Sequence, residues 1–429
     1  MVVMSASRDH LADLVDFVAA SPSSFHAAAE AARRLTEAGF VQQDETAAFD
    51  ASSGGHFVVR DGALIAWRIP EGAGPDGRFT VIGAHTDSPG FKLKPEPNLS
   101  AYGWRQIGVE VYGGPLLNSW LDRELGLAGR LVTADGTSHL VRTGPIMRIP
   151  QLAIHLDRGV NDNGLVLDKQ AHTQPIWGLG PGVGILEHLA GLADLDSSQI
   201  LGYDVVSFDT ARGQVFGGPA VGHEDGAFLA CGRLDNLSSV HAGLVALIAA
   251  ERAQAITVLA AFDHEEIGSA SRSGAAGPIL EDVLRAIAAS VGADADGTRR
   301  MLARSSCLSA DAGHAVHPNY AGHHDPANKP LPNQGPLLKI NANQRYATDA
   351  VGTALWRRAC DAAGVSSQPF VSNNALPCGS TIGPITATRL GITTVDVGIP
   401  LLSMHSAREM CGVDDPYALA RAAEEFLVL

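Results

Sequence analysis

The feature that most constrains this chain is the repeated ending of short apolar runs in a histidine or a carboxylate. TVIGA runs into His85, Thr86 and Asp87, and GRL leads to Asp235 and Asn236. LAAF leads to Asp263, His264, Glu265 and Glu266, LSA to Asp311, and IPLLS to Met404 and His405. Helical stretches lie between or after these runs: residues 236–253, 278–290, 347–364 and 414–429, the last with Pro416 in its first turn. Strands alternating with helices imply an α/β sheet. Open α/β sheets gather their functional groups at the carboxyl ends of the strands. Two histidines and four or five carboxylates then meet at one edge.

Such a cluster cannot stay dry, charged and unpaired, so it binds cations. Mixed imidazole and carboxylate donors suit Zn²⁺, with Mn²⁺ or Co²⁺ as alternatives, and two metals sharing a bridging carboxylate would neutralise it well. Glu265 and Glu266 are adjacent, and successive residues at a strand end point opposite ways. One can therefore ligate metal while the other acts as a general base. Any single instance is weak evidence, because strand-end acids often cap the following helix, and Asp235 alone reads equally well as such a cap. Five instances together favour a metal site.

The rest of the chain supports a large α/β part with an insertion. Residues 9–39 read as two helices, the second capped by Ser24. Residues 92–230 carry short β-rich runs (IGVEVY, LAGRLVT, HLVR) broken by Gly, Pro and Asn, a separate mostly β segment. Residues 1–91 and 231–429 form the discontinuous α/β domain around it. With 45% hydrophobic and 18% charged residues, the chain is not disordered. A net charge of −15 disfavours nucleic acid and anionic membrane as partners. No apolar run is long enough to span a bilayer, and the N-terminal stretch has no basic region followed by an apolar one. Five cysteines without a CxxC pair read as a reduced, cytoplasmic chain.

Eight strings together resemble the M18 metallopeptidases, the aspartyl aminopeptidase family: AHTDSPGFKLKP (84–95), RIPQLAIHLDR (148–158), GRLDNL (232–237), DHEEIGSASRSGAAG (263–277), SADAGHAVHPNY (309–320), GPLLKINANQRYATD (335–349), CGSTIGPI (378–385) and MHSAREM (404–410). The resemblance implies a zinc-peptidase fold, a mixed sheet flanked by helices, with the inserted β domain driving dimerisation. It implies two divalent metals, most simply zinc. His85 and Asp311 would hold one, Glu266 and His405 the other, and Asp235 would bridge them. Glu265 would be the general base and Asp87 would orient His85. His314 and Lys339 would contact substrate, and His155 would reach a neighbouring subunit's site. The implied activity is removal of N-terminal Asp or Glu from peptides, by a homo-oligomer that closes as a tetrahedral dodecamer.

Alternatives stay open: a preference for neutral N-terminal residues, a two-metal carboxypeptidase or deacylase using Arg345 and Lys339, or a binding protein that keeps the fold. Other suggestive strings read as ordinary structure. VGHEDGAF (221–228) is a turn, and GLGPGVG (178–184) fits no dinucleotide-binding register. Asp294-Ala-Asp296-Gly297 is a helix exit, and His264 is a neighbour of the site facing solvent. The Gly379-Ser380-Thr381 loop is either a substrate-positioning backbone or a plain turn.

Overall fold

A computed structural model describes residues 2–219 and 221–429, with side chains from Ala6 onward; of the N-terminal stretch read above, Met1 lies outside the described residues. The main sheet has nine strands. In spatial order they are Val41–Gln42, Gly54–Arg60, Ala63–Ile69, Ile256–Phe262, Phe79–His85, Ser306–Ala310, Thr393–Gly398, Leu337–Ile340 and Gln368–Val371. The four strands Ile256–Phe262, Phe79–His85, Ser306–Ala310 and Thr393–Gly398 run parallel side by side. Their carboxyl ends therefore open on the same edge.

Strand alternation sends Phe79 and Val81 to one face, and Ile82 and Ala84 to the other. The first face packs on Ile279–Ser290 and Ala295–Ala303. The second packs on the N-terminal helices and on Leu234–Ala249, Ala350–Ala363 and Asp415–Val428. Coverage on both faces explains why every residue of Phe79–His85 and Ile256–Phe262 is buried, and why these strands read as unbroken apolar runs. No helix among the described residues is long and apolar enough to cross a membrane.

A second, antiparallel sheet takes six strands from residues 90–209, with its own apolar core around Phe91, Leu127, Leu131 and Val205. The strand residues 214–216 and 228–230, grouped above with this β-rich block, pair differently. Phe228–Cys231 is hydrogen-bonded to Glu409–Gly412 and Gln214–Phe216, a small separate sheet tied to the C-terminal part. Its strands end in the chain that carries Asp235.

Local expectations need three corrections. Ser23, not Ser24, caps the second helix: it is the last residue with extended backbone, and its hydroxyl accepts from the His26 N–H. Asp294 opens a helix rather than closing one, because its carboxylate accepts from the Gly297 N–H at the start of Ala295–Ala303. Glu265 and Glu266 lie in a 3₁₀ turn, Glu265–Ile267, so strand alternation does not separate them. His264, in left-handed backbone with φ 63°, ends the strand geometry before they begin.

Candidate metal centre

Each of the five candidate ligands sits at or beside an end of a main-chain element or in a tight turn. His85 is the last residue of its strand, and Asp311 follows Ser306–Ala310. Asp235 lies in the first turn of Leu234–Ala249 with non-helical backbone (φ −82°, ψ 103°). Glu266 comes from the 3₁₀ turn, and His405 from a tight loop between Leu402 and Met410, which hydrogen-bond to each other across it.

The side chains converge. His85 Nε2 stands 3.3 Å from Asp235 Oδ1, 3.7 Å from Asp311 Oδ1 and 3.9 Å from Glu265 Oε2. His405 Nε2 stands 3.3 Å from Glu266 Oε2 and 3.6 Å from Asp235 Oδ2. These separations exceed normal hydrogen bonds. The two 3.3 Å pairs match the edges of a zinc coordination shell, since tetrahedral ligands about 2.0–2.1 Å from one ion lie about 3.3–3.4 Å apart, and the 3.6 and 3.7 Å pairs are a little wider. Asp235 Oδ1 and Glu266 Oε1 are buried and have no hydrogen-bond partner. Asp235 is therefore no helix cap: its two oxygens face two different histidines. Ligand atoms of His85, Asp235 and Glu266 all lie within 4.8 Å of one another. This donor set fits zinc.

Supporting contacts fix the imidazoles. His85 Nδ1 is 3.0 Å from the backbone carbonyl of Asp87 and 3.4 Å from that residue's carboxylate. His405 Nδ1 is 3.0 Å from the Gly114 carbonyl, in the chain just after the strand Trp104–Tyr112 of the second sheet. The Asp87 carboxylate has further partners: it accepts from the N–H groups of Glu265 and Glu266 at 3.0 and 3.1 Å, and from the Tyr112 hydroxyl. The Ser88 hydroxyl donates to the Asp235 carbonyl, and Asn236 Nδ2 to the Ala310 carbonyl.

The electrostatics follow from an excess of carboxylate in a buried place. Burial, with Asp311, Asp87 and Asp235 nearby, pushes the Glu265 carboxyl up to about 7. Burial and Asp235 hold Glu266 well above the usual range. Burial opposes the imidazolium of His85, yet Asp235, Asp311 and Asp87 outweigh it and raise the ring. Burial also opposes that of His405, yet Asp235 and Glu266 push it up to about 10. Every shift has the same meaning: this edge attracts positive charge.

The remaining candidates separate. Lys339 is 1% exposed. Its Nζ donates to the Ala312 carbonyl at 2.6 Å and lies 3.9 Å from Asp311 Oδ2 and 5.3 Å from the Tyr346 ring. His314 is exposed in the short strand beside it. His155 lies in an exposed segment before Val160–Asn163 and has no hydrogen bond to the cluster among the described residues. His264 turns to the Ser271 hydroxyl. Thr381 caps the helix Ile382–Leu390, which makes its loop a turn with a structural purpose.

Sequence reasoning missed two residues. Tyr112 ends a strand of the second sheet, and its only signal was an aromatic at the close of IGVEVY. Glu409, 2% exposed, accepts from the N–H groups of both Asp235 and His405. Its signal was a lone acid opening the otherwise apolar string EMCG.

Comparisons with known proteins point to one family. The family model described as "Aminopeptidase I zinc metalloprotease (M18)" matches residues 17–427. A probable M18 family aminopeptidase 2 of Streptomyces avermitilis is 54% identical, over 98% of this chain and 98% of its own. A solved structure of the Ape4 and Nbr1 complex superposes with a TM-score of 0.94 at 34% identity, covering 99% of this chain and 86% of that one. The structure of the S. cerevisiae mApe1 dodecamer superposes with a TM-score of 0.84 at 29% identity, covering 98% of this chain and 96% of that one.

Proposed function

This chain belongs to the M18 family of zinc aminopeptidases, which are peptide-bond hydrolases, and from that premise we propose that it removes N-terminal Asp or Glu from peptides with the help of two divalent metals. The observation that carries the two-metal reading is Asp235. Its Oδ1 faces His85 and its Oδ2 faces His405, and each of these imidazoles has a further carboxylate beside it, Asp311 at His85 and Glu266 at His405. That is the arrangement a bridging carboxylate requires.

When bound, the metals acidify water and polarise a carbonyl. The chain's own residues do the rest. Glu265 is the one glutamate of its turn whose carboxylate stands beside the cluster without facing His405, so it is free to take a proton from the attacking water. Its raised pKa suits a base that must also return that proton, to the leaving amine. Asp87 holds the Glu265–Glu266 turn by both amides, which fixes where the base points. The carboxylate-rich lining also attracts the cationic α-amine of a peptide, which favours cutting at the free N-terminus.

Acidic specificity rests on Lys339 and His314. Lys339 is buried, and its nearest carboxylate stands at 3.9 Å, outside hydrogen-bonding reach. A substrate carboxylate would complete its neutralisation. One observation favours the second reading, a neutral N-terminal residue: Lys339 already donates to Ala312. Solvent salt screens the net charge of −15 beyond about 8 Å, so local groups decide. We place the enzyme in the cytoplasm, as five unpaired cysteines suggest, and as a homo-oligomer, dodecameric like the S. cerevisiae relative.

Release of the N-terminal residue from Asp-X, Glu-X, Leu-X and acetyl-Asp-X, with and without chelator, tests the proposal. Chelator-sensitive cleavage of Asp-X with acetyl-Asp-X inert is expected. Preferential cleavage of Leu-X would keep the mechanism and overturn the specificity.

A further inference from the structure

Glu409 stands behind the metal centre rather than in it. We propose that it is a positioning residue: one carboxylate that fixes the main chain at Asp235 and at His405 together, and so sets the geometry of both metal sites. Its Oε2 accepts from the Asp235 N–H at 3.0 Å and its Oε1 from the His405 N–H at 2.8 Å. Glu409 begins the strand Glu409–Gly412 opposite Cys231, and the chain beyond Cys231 leads directly to Asp235. The residue thus sits where the two ligand-bearing segments meet.

Neither segment holds its course unaided. Arg233 (φ 58°) precedes Asp235, and Ser403 (φ 58°) and His405 (φ 65°) form the other turn, all non-glycine residues in left-handed backbone. Such conformations persist only where surrounding contacts over-determine them. Glu409 supplies that contact to both. The alternative, that Glu409 merely fills the strand, fits poorly. A buried carboxylate is costly, and Glu409, 2% exposed, spends both its oxygens on main-chain N–H groups with no Lys or Arg paired to it among the described residues. An apolar residue would serve a plain core better.

The chemistry of the pair makes a sharp test. A carboxylate offers an acceptor to each amide. A glutamine offers one acceptor and turns an NH₂ donor against the other N–H. The inference rests on the reading of Asp235 and His405 as ligands, so both are tested together. Metal-stripped wild type, E409Q, E409D and H405A are titrated with zinc against a chromophoric chelator, with melting temperature and gel filtration run in parallel. E409Q, folded and of native size, is expected to bind zinc about 10–100-fold more weakly than wild type, with E409D between the two. If H405A binds zinc as wild type does, the ligand assignment itself fails. If H405A is weakened while folded E409Q and E409D bind as tightly as wild type, the inference about Glu409 fails alone. If neither Glu409 variant folds even with zinc present, the residue serves the fold first and the inference is overturned.

Discussion

The phenol of Tyr112 donates a 2.8 Å hydrogen bond to Oδ2 of Asp87. Tyr112 closes a strand of the six-stranded sheet and Asp87 follows a strand of the nine-stranded one, so this bond joins the two sheets at the metal centre. Burial pushes the Asp87 carboxyl up, but His85, the Tyr112 hydroxyl and the Glu265 amide outweigh it and keep it charged. A hydrogen bond to a charged group contributes about 1.5–3 kcal/mol. If it serves the geometry of the site, Y112F is expected to lose about tenfold to a hundredfold in kcat/KM. Unchanged steady-state kinetics would mean that the two amides alone hold Asp87.

Glu265→Gln keeps the shape of the turn and removes the proposed base. The protein should fold, bind zinc and turn over about 10²–10⁴-fold more slowly. The pH profile gives a second check. Activity needs the carboxylate, so it rises with pH through the Glu265 pKa. In the metal-free cluster that value is about 7 against an ordinary 4.5, and bound cations stabilise the charged form. The acid limb of kcat/KM should fall between these values in wild type and be missing in E265Q. Wild-type turnover by E265Q would sink the assignment.

The alternation of strands and helices was legible because each central strand is covered on both faces and so written almost wholly in apolar residues. The candidate ligands were legible for the same reason: His85 and Asp311 break those runs abruptly. What the sequence hid was main-chain geometry. The left-handed backbone of His264 turns the two glutamates into a 3₁₀ turn, and nothing in DHEE announces it. Glu409 and Tyr112 act through amides and a hydroxyl brought together from other parts of the chain. Such contacts leave no periodic trace. The small sheet that pairs Phe228–Cys231 with Glu409–Gly412 is likewise a long-range pairing that texture cannot reveal.

Metal removal should make stability fall with rising pH. Burial raises the carboxyls of Glu265 and Asp415 to about 7 and of Glu409 to about 8. His405 is raised to about 10, where nearby carboxylates outweigh its burial. For each group the folded state binds more protons than the unfolded one in this range. Their stabilisation is present at lower pH and lost as pH climbs through the folded values. The lowered histidines, His10 at about 3 and His26 at about 4, add their opposite slope only below the ordinary histidine range. Chelated protein should therefore melt several degrees lower at pH 9 than at pH 7. Zinc should flatten that slope, since it binds the deprotonated ligands and so tightens as pH rises. A melting temperature that rises from pH 7 to pH 9 in chelator would contradict the cluster's electrostatics.

Lys339→Met keeps most of the side chain's volume and discards its charge. If Lys339 reads an acidic side chain, the variant should lose Asp-X cleavage by about 10²-fold or more, as expected when a buried charge pair loses one partner worth about 3–5 kcal/mol. Leu-X cleavage should be kept or improved. A parallel fall on both substrates would instead assign Lys339 to holding Ala312 and Asp311 in place. Comparing kcat/KM for the two dipeptides separates these outcomes.

The family resemblance implies that His155 acts in a neighbouring subunit, and we propose that role here from its surroundings. Leu152, Ile154 and Leu156 flank it with 58, 46 and 75% of their surfaces exposed. Three large apolar side chains beside one exposed histidine form a surface that association would cover. Two inactive variants then make the test. H155A keeps Glu265, and E265Q keeps His155. If the histidine works across the interface, dissociating and reassembling the two together creates sites with Glu265 from one chain and His155 from the other. Activity should return in the mixture and in neither variant treated alone. A reassembled wild-type control that is active, beside a mixture that is not, would show that His155 does not act across the interface.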